Sequence, residues 1–248
     1  MSPGSYADST GCTLTPVFEY WADRLRADYA SQIDVFAQFF SNRVLPGFAN
    51  IDEEGKQIAK EAYREMSSAY GMEDDFGSLA EMAQDHAITY YETMCSLQQG
   101  VINMFSVGLW HLFEQQLADF ARHAILRYPL RLKENPNFGA VRTLLRNEWN
   151  VDITQFLAYG QVEELRLLAN CAKHGDGDSC SRLRVLRPAL FNPLRNEAGF
   201  GLGPGPVIAP LGGEHLYLAE EDFKAYADAV KGFLIELSER VRALATRP

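Results

Sequence analysis

From Leu79 to Phe113 the chain places a core-type residue at every third or fourth position, and no proline follows until Pro129. Leu79, Met82, His86, Tyr90, Met94, Leu97, Val101, Met104, Gly108, Leu112 and Phe113 fall on a single stripe of an α-helix. A strand would instead alternate apolar and polar residues, and no segment of this chain does so convincingly. The pattern predicts one very long helix, or two nearly collinear ones with Gly100 or Gly108 as the break. A stripe of this length exceeds what a small domain needs for its own core. It predicts a helical bundle that continues into a partner chain. His86, His111 and His123, in or beside the stripe, read as core histidines, and the Met and aromatic residues as core or dimer interface.

The rest of the chain reads as helix punctuated by turns. Thr15-Pro16 opens a first helix with its apolar stripe on Phe18, Trp21, Leu25, Tyr29, Ile33, Phe36 and Phe40, and Pro46-Gly47 closes it. An acidic helix is expected from about Glu53 to Tyr70, ending near Gly71. A short one is expected from Phe138 to Trp149, followed by a helix that Asp152 caps and that runs, with a kink at Gly160, to His174. Gly175 is its stop, Asp178 caps the next short helix, and Pro188 ends that one. Asn192 to Gly213 is loop, His215 to Leu218 a short extended piece, and Ala219 to about Leu244 a final helix. The expected fold is all-α, a helical bundle around a long central helix, with an N-terminal helical region at 1–75 and the bundle proper at 76–248.

Composition narrows the function. The four cysteines (Cys12, Cys95, Cys171, Cys180) follow no framework spacing and read as free thiols of a cytoplasmic protein. Met1 to Thr13 lacks the apolar stretch of a signal peptide, and no apolar run reaches the 18 or so residues of a membrane span. A net charge of −10 argues against coating nucleic acid non-specifically, since phosphate affinity comes from Lys and Arg. The charge is uneven, however. Asp52 to Leu97 holds 11 acidic against 3 basic residues, whereas Ser181 to Arg195 holds four arginines and no acid.

That basic stretch closes the most chemically suggestive segment, Glu163 to Phe191. Arg166, Asn170 and His174 follow at i, i+4 spacing on one helical face beside Lys173, while Leu165, Leu168 and Ala172 suit a core. After Gly175-Asp176-Gly177, the cations Arg182, Arg184 and Arg187 return on the next helix. A histidine at a helix C-terminus has its imidazolium favoured by the dipole. An imidazole beside guanidinium groups supplies what metal-free phosphodiester cleavage needs, a proton carrier and cations for the charged transition state. The same arginines could equally pair with the chain's excess acid, and His174 could simply cap its helix. Cys171, His174 and Cys180 offer too few soft ligands for zinc, and Asp176-Gly-Asp178 is too short for a calcium loop, so neither metal nor cofactor is expected.

The run Glu164 to Gly175, through Asn170, Lys173 and His174, resembles the signature helix of the HEPN superfamily, helical domains of prokaryotic toxin–antitoxin and anti-phage systems. Leu109, Trp110, His111, Phe113, Glu114 and Leu117 resemble the paired long helix of such proteins, and Glu221-Asp222-Phe223 their closing helix. The likeness spans roughly residues 76 to 245, with its specific part at Asn170 to His174. It implies a bundle that dimerises through this helix pair and, in active members, a metal-independent endoribonuclease built on an Arg, a polar residue and a His. Asn170, Lys173 and His174 match that pattern. Ala169 stands where the family has its arginine, and Arg166 is the nearest guanidinium. By resemblance, His174 is the acid/base group, Asn170 positions the phosphate or 2′-hydroxyl, and Arg166 stabilises the transition state. Lys173, Arg182, Arg184 and Arg187 would hold the substrate, an RNA or a nucleotide, with a defence or toxin–antitoxin protein as partner. The other reading is a catalytically inactive interaction or scaffold module partnering a separate effector, which Ala169 and the acidic net charge favour.

Overall fold

The computed structural model describes residues 15–69, 76–125, 136–192 and 205–246. They form an all-α protein: α1 (Thr15–Asp23), α2 (Ala30–Phe39), α3 (Ile51–Ala69), α4 (Phe76–Phe120), α5 (Phe138–Trp149), α6 (Tyr159–His174), α7 (Asp178–Leu186) and α8 (Glu220–Ala245). No strand occurs among the described residues, and in His215 to Leu218 the Tyr217 N–H donates to the Leu190 carbonyl at 2.7 Å. No described helix is long and apolar enough to cross a membrane. Cys12, Gly71, Pro129, Arg195 and most of the glycine-rich stretch 199–206 lie outside the described residues.

Local chemistry explains the boundaries. Asn137 caps α5 by accepting from the Ala140 N–H at 2.9 Å, and Asn150, at φ 54°, ends it in the left-handed region. Asp152 caps a single 3₁₀ turn at 153–155 through the Thr154 N–H, and α6 begins only at Tyr159, so Gly160 lies in its first turn rather than at a kink. Among the described residues three π-helical turns occur, at Arg24–Tyr29 between α1 and α2, at Phe40–Val44 after α2 and at Ala121–Ile125 after α4.

The chain divides into two compact units that interleave along the sequence. The first comprises Met1–Gln38, Ser106–Asn170 and Glu220–Pro248. Its core is aromatic: Phe233 of α8 meets Phe156 at 5.0 Å and the edge of Phe113 at 5.3 Å, and Trp149 lies between Phe18 and Phe120. These rings are almost fully buried, at about 1.5–3 kcal/mol for each side chain withdrawn from water. Around them, Lys231 pairs with Asp34 at 2.6 Å and Arg242 with Asp23.

The second unit comprises Phe39–Phe105 and Cys171–Ala219. Here α3 lies against the first half of α4, where a Cβ on Gly55 would sit 3.7 Å from the Ala87 carbonyl and the Tyr90 hydroxyl donates to Glu54 at 2.5 Å. Residues 205–219 form a strap laid on α4. Gly100 permits this, because a Cβ there would collide with the Leu211 carbonyl, and Gly213, at φ 88°, sits against the Ser96 carbonyl. Fully buried Asn103 donates to the Pro210 carbonyl at 2.6 Å and the Leu216 carbonyl at 2.8 Å, and Gln99 donates to the Leu218 carbonyl at 3.0 Å.

Helix α4 is continuous through both Gly100 and Gly108. Its buried face differs from the predicted stripe, however. Leu79 and Phe113 are buried, but Met82, Leu97 and Met104 are about half exposed, and the other covered positions up to residue 103 are Ala83, Ala87, Gly100, Ile102 and Asn103. Small residues supply most of that covered face, while several of the larger ones are turned outward. The three histidines are likewise not core groups: His86 is exposed, and the side chains of His111 and His123 are 42% and 49% exposed.

Candidate functional site

The C-terminal end of α6 is built by a backbone turn. The Gly175 N–H bonds the Cys171 carbonyl at 2.9 Å, and its φ of +69° stops the helix where a side chain would be strained. A Cβ at Gly175 would also stand 2.6 Å from the Val207 carbonyl, so the strap passes directly over this turn. Lys173 and His174, the last two residues of α6, are both exposed.

The groups just beyond the turn are committed internally. Asp176 accepts from the Val207 N–H at 3.1 Å and pairs with Arg184 at 3.0 Å. Arg184 also donates to the Gly205 carbonyl at 2.8 Å and lies over the Phe191 ring at 5.0 Å. Its side chain is 24% exposed and works as a tie between α7 and the strap. Arg182 is exposed, 4.0 Å from Asp178, and Arg187 is half-buried at the C-terminal cap of α7. Cys171 and Cys180 are fully buried against one another, and burial pushes both thiols up from their ordinary range, so both stay protonated. Among the described residues no group of three or more His, Cys, Asp or Glu side chains could hold a metal ion.

The earlier turns of α6 belong to the first unit. Arg166 forms a two-point pair with Glu163, Nε to Oε2 at 2.8 Å and Nη2 to Oε1 at 2.7 Å, three-quarters buried. That hydrogen bonding holds its guanidinium above even the usual arginine range, with charges on Glu163, Tyr159 and Glu114 adding to it. Glu164 accepts from the Tyr226 hydroxyl at 2.5 Å. Ala169 is fully buried among Leu165, Leu168 and Ala172, whereas Asn170 is half-buried. The helix thus presents Asn170 and, one turn on, His174 with Lys173, while Arg166 is directed at Glu163.

A different polar cluster escaped the sequence reading. In the first unit, Asp119 contacts Tyr29, Arg24 and His123 together. The i, i+4 spacing of Asp119 and His123 was the one signal present in the sequence, and Tyr29 lies 90 positions away.

No family model matches the chain, and neither a curated protein nor a solved structure matches it.

Proposed function

We propose that the chain is a HEPN-like helical protein directed at RNA, which contacts the phosphodiester backbone through the end of α6. The observation that supports this reading is the exposure of Lys173 and His174 side by side at the helix terminus, with Asn170 one turn earlier. A cation, an imidazole and an amide of this kind can bind a phosphate and move a proton without a metal. In this reading the protein works as a cytoplasmic homodimer within a toxin or anti-phage defence system. As a ribonuclease it would use His174 for proton transfer to or from the 2′-hydroxyl and yield a cyclic phosphate.

A specific observation favours the second reading, an inactive interaction module that partners a separate effector. Ala169 is buried where the family places its arginine, and Arg166 is engaged by Glu163. One experiment separates the two. Purified protein and its His174→Ala variant are incubated with total RNA in EDTA, and RNA retention is followed by gel shift. Cleavage by the wild type that the variant lacks supports the nuclease. Retention without cleavage supports RNA binding alone, and neither retention nor cleavage overturns the RNA reading.

A further inference from the structure

The first unit holds a polar cluster that the α6 reading does not use. It forms where two π-helical turns, Arg24–Tyr29 and Ala121–Ile125, meet at the end of α4. Such turns are rare and concentrate at functional sites. Asp119 is the centre. One carboxylate oxygen accepts from the Tyr29 hydroxyl and from Arg24 Nη2, and the other lies 3.0 Å from His123 Nδ1. The same imidazole nitrogen lies 2.9 Å from the Asp119 carbonyl. Two acceptors at Nδ1 mean that this nitrogen carries the proton. Nε2 therefore offers a lone pair when the ring is neutral and an N–H when it is charged. The Trp21 indole lies against both groups, with the imidazole nearly parallel to it at 17° and Arg24 5.4 Å from its centroid.

Donors outnumber acceptors here. Arg24 spends Nε on the Tyr29 hydroxyl at 3.2 Å, Nη1 on the Tyr20 hydroxyl at 3.1 Å and Nη2 on Asp119, which leaves two of the five guanidinium N–H groups. The carboxylate of Asp119 is engaged at both oxygens. What completes such a set is an oxyanion with several acceptor oxygens and a proton that exchanges near neutrality, as a phosphate group has.

We infer that the Arg24–Asp119–His123 cluster is a binding site for a phosphate group, free or as a monoester. Arg24 holds the anion, and His123, fixed in orientation by Asp119, exchanges a proton with it through Nε2. The site is independent of the α6 terminus and of the RNA reading.

The test follows the ¹⁵N shifts of the five histidines of the wild-type chain during titration at constant ionic strength, with inorganic phosphate in one arm and phenyl phosphate in the other. The expected result is a protonated Nδ1 at His123 before ligand, and a saturable Nε2 shift at His123 that exposed His86 does not share. Saturation in the first arm alone identifies free phosphate as the ligand, and tighter saturation in the second identifies a monoester. Arg24→Lys, which keeps the charge but loses the fork, should weaken binding by about tenfold. A non-saturating shift in both arms, an equal shift at His86, or a protonated Nε2 at His123 would overturn the proposal. Those readings come from the wild type and stand even if the variant misfolds.

Discussion

Replacing Asn103 with leucine tests what holds the second unit together. The side chain is fully buried and its amide supplies the hydrogen bonds that satisfy two strap carbonyls, at Pro210 and Leu216. Leucine fills a similar volume but donates nothing. Two buried carbonyls then lose their donors, at about 1–3 kcal/mol each, while the apolar side chain recovers part of the loss. The expected net cost is about 2–4 kcal/mol, or a fall in Tm of roughly 4–16 °C for a chain of this size. Because the chain has two compact units, a single melting transition is not assured, and hydrogen exchange is the sharper assay. Peptides covering 205–219 should exchange faster in Asn103→Leu, while α8 of the first unit keeps its protection. Gly100→Ala should expose the same peptides by another route, since the added methyl group meets the Leu211 carbonyl. If both variants leave strap protection unchanged and cost less than about 1 kcal/mol, the strap is not held by these contacts and the reasoning fails.

Three further outcomes are expected. Placing an arginine where the HEPN pattern would have one, with Ala169→Arg, buries a guanidinium beside leucines and should cost more than about 3 kcal/mol, seen as a large loss in denaturant midpoint, without creating nuclease activity. Burial raises the Cys171 thiol, so its contribution to stability is complete below the unfolded value of about 8.5 and is lost as the pH rises beyond it. The stability gap between wild type and Cys171→Ser should therefore shift against the wild type above that pH, which urea melts would show. Hydrogen bonds from Thr154, aided by Arg146, lower Asp152, so its contribution is present above about pH 4 and fades as the pH falls through its folded value. Asp152→Asn should be less stable at pH 7 and indistinguishable from wild type in strong acid.

The helical class, and most helix ends, were legible because they rest on local chemistry. Asn137 and Gly175 act within four residues of themselves, and the structure places them where caps and stops belong. The orientation of α4 was not legible. A stripe drawn through the largest apolar side chains passes through Met82, Leu97 and Met104, yet these are half exposed. The face that packs is chosen by how closely a neighbour approaches. Around Gly100 that neighbour is strap backbone, which excludes any side chain and calls for an amide donor at Asn103. Similarly, nothing near Arg184 in sequence announced that its partners would include the Gly205 carbonyl, 21 positions away.

The α6 segment shows the same limit in a form that bears on mechanism. Ala169 follows Leu165 by four residues and lies with Leu168 at zero exposure, so the helix register buries the position where the HEPN pattern would carry an arginine. An arginine there would point into the core of the first unit. Arg166, the apparent substitute, would have to break two bonds to Glu163 within a three-quarters-buried pair. In the RNA reading, a phosphate would therefore be met by the exposed Lys173 and Arg182 rather than by Arg166. If the chain binds RNA, Lys173→Ala should weaken binding and lower the slope of log affinity against log salt by about one. Arg166→Met should leave that slope unchanged while lowering stability. A gel-shift series across salt concentrations distinguishes them, and an equal loss of slope in Arg166→Met would show that the Glu163 pair opens to bind RNA.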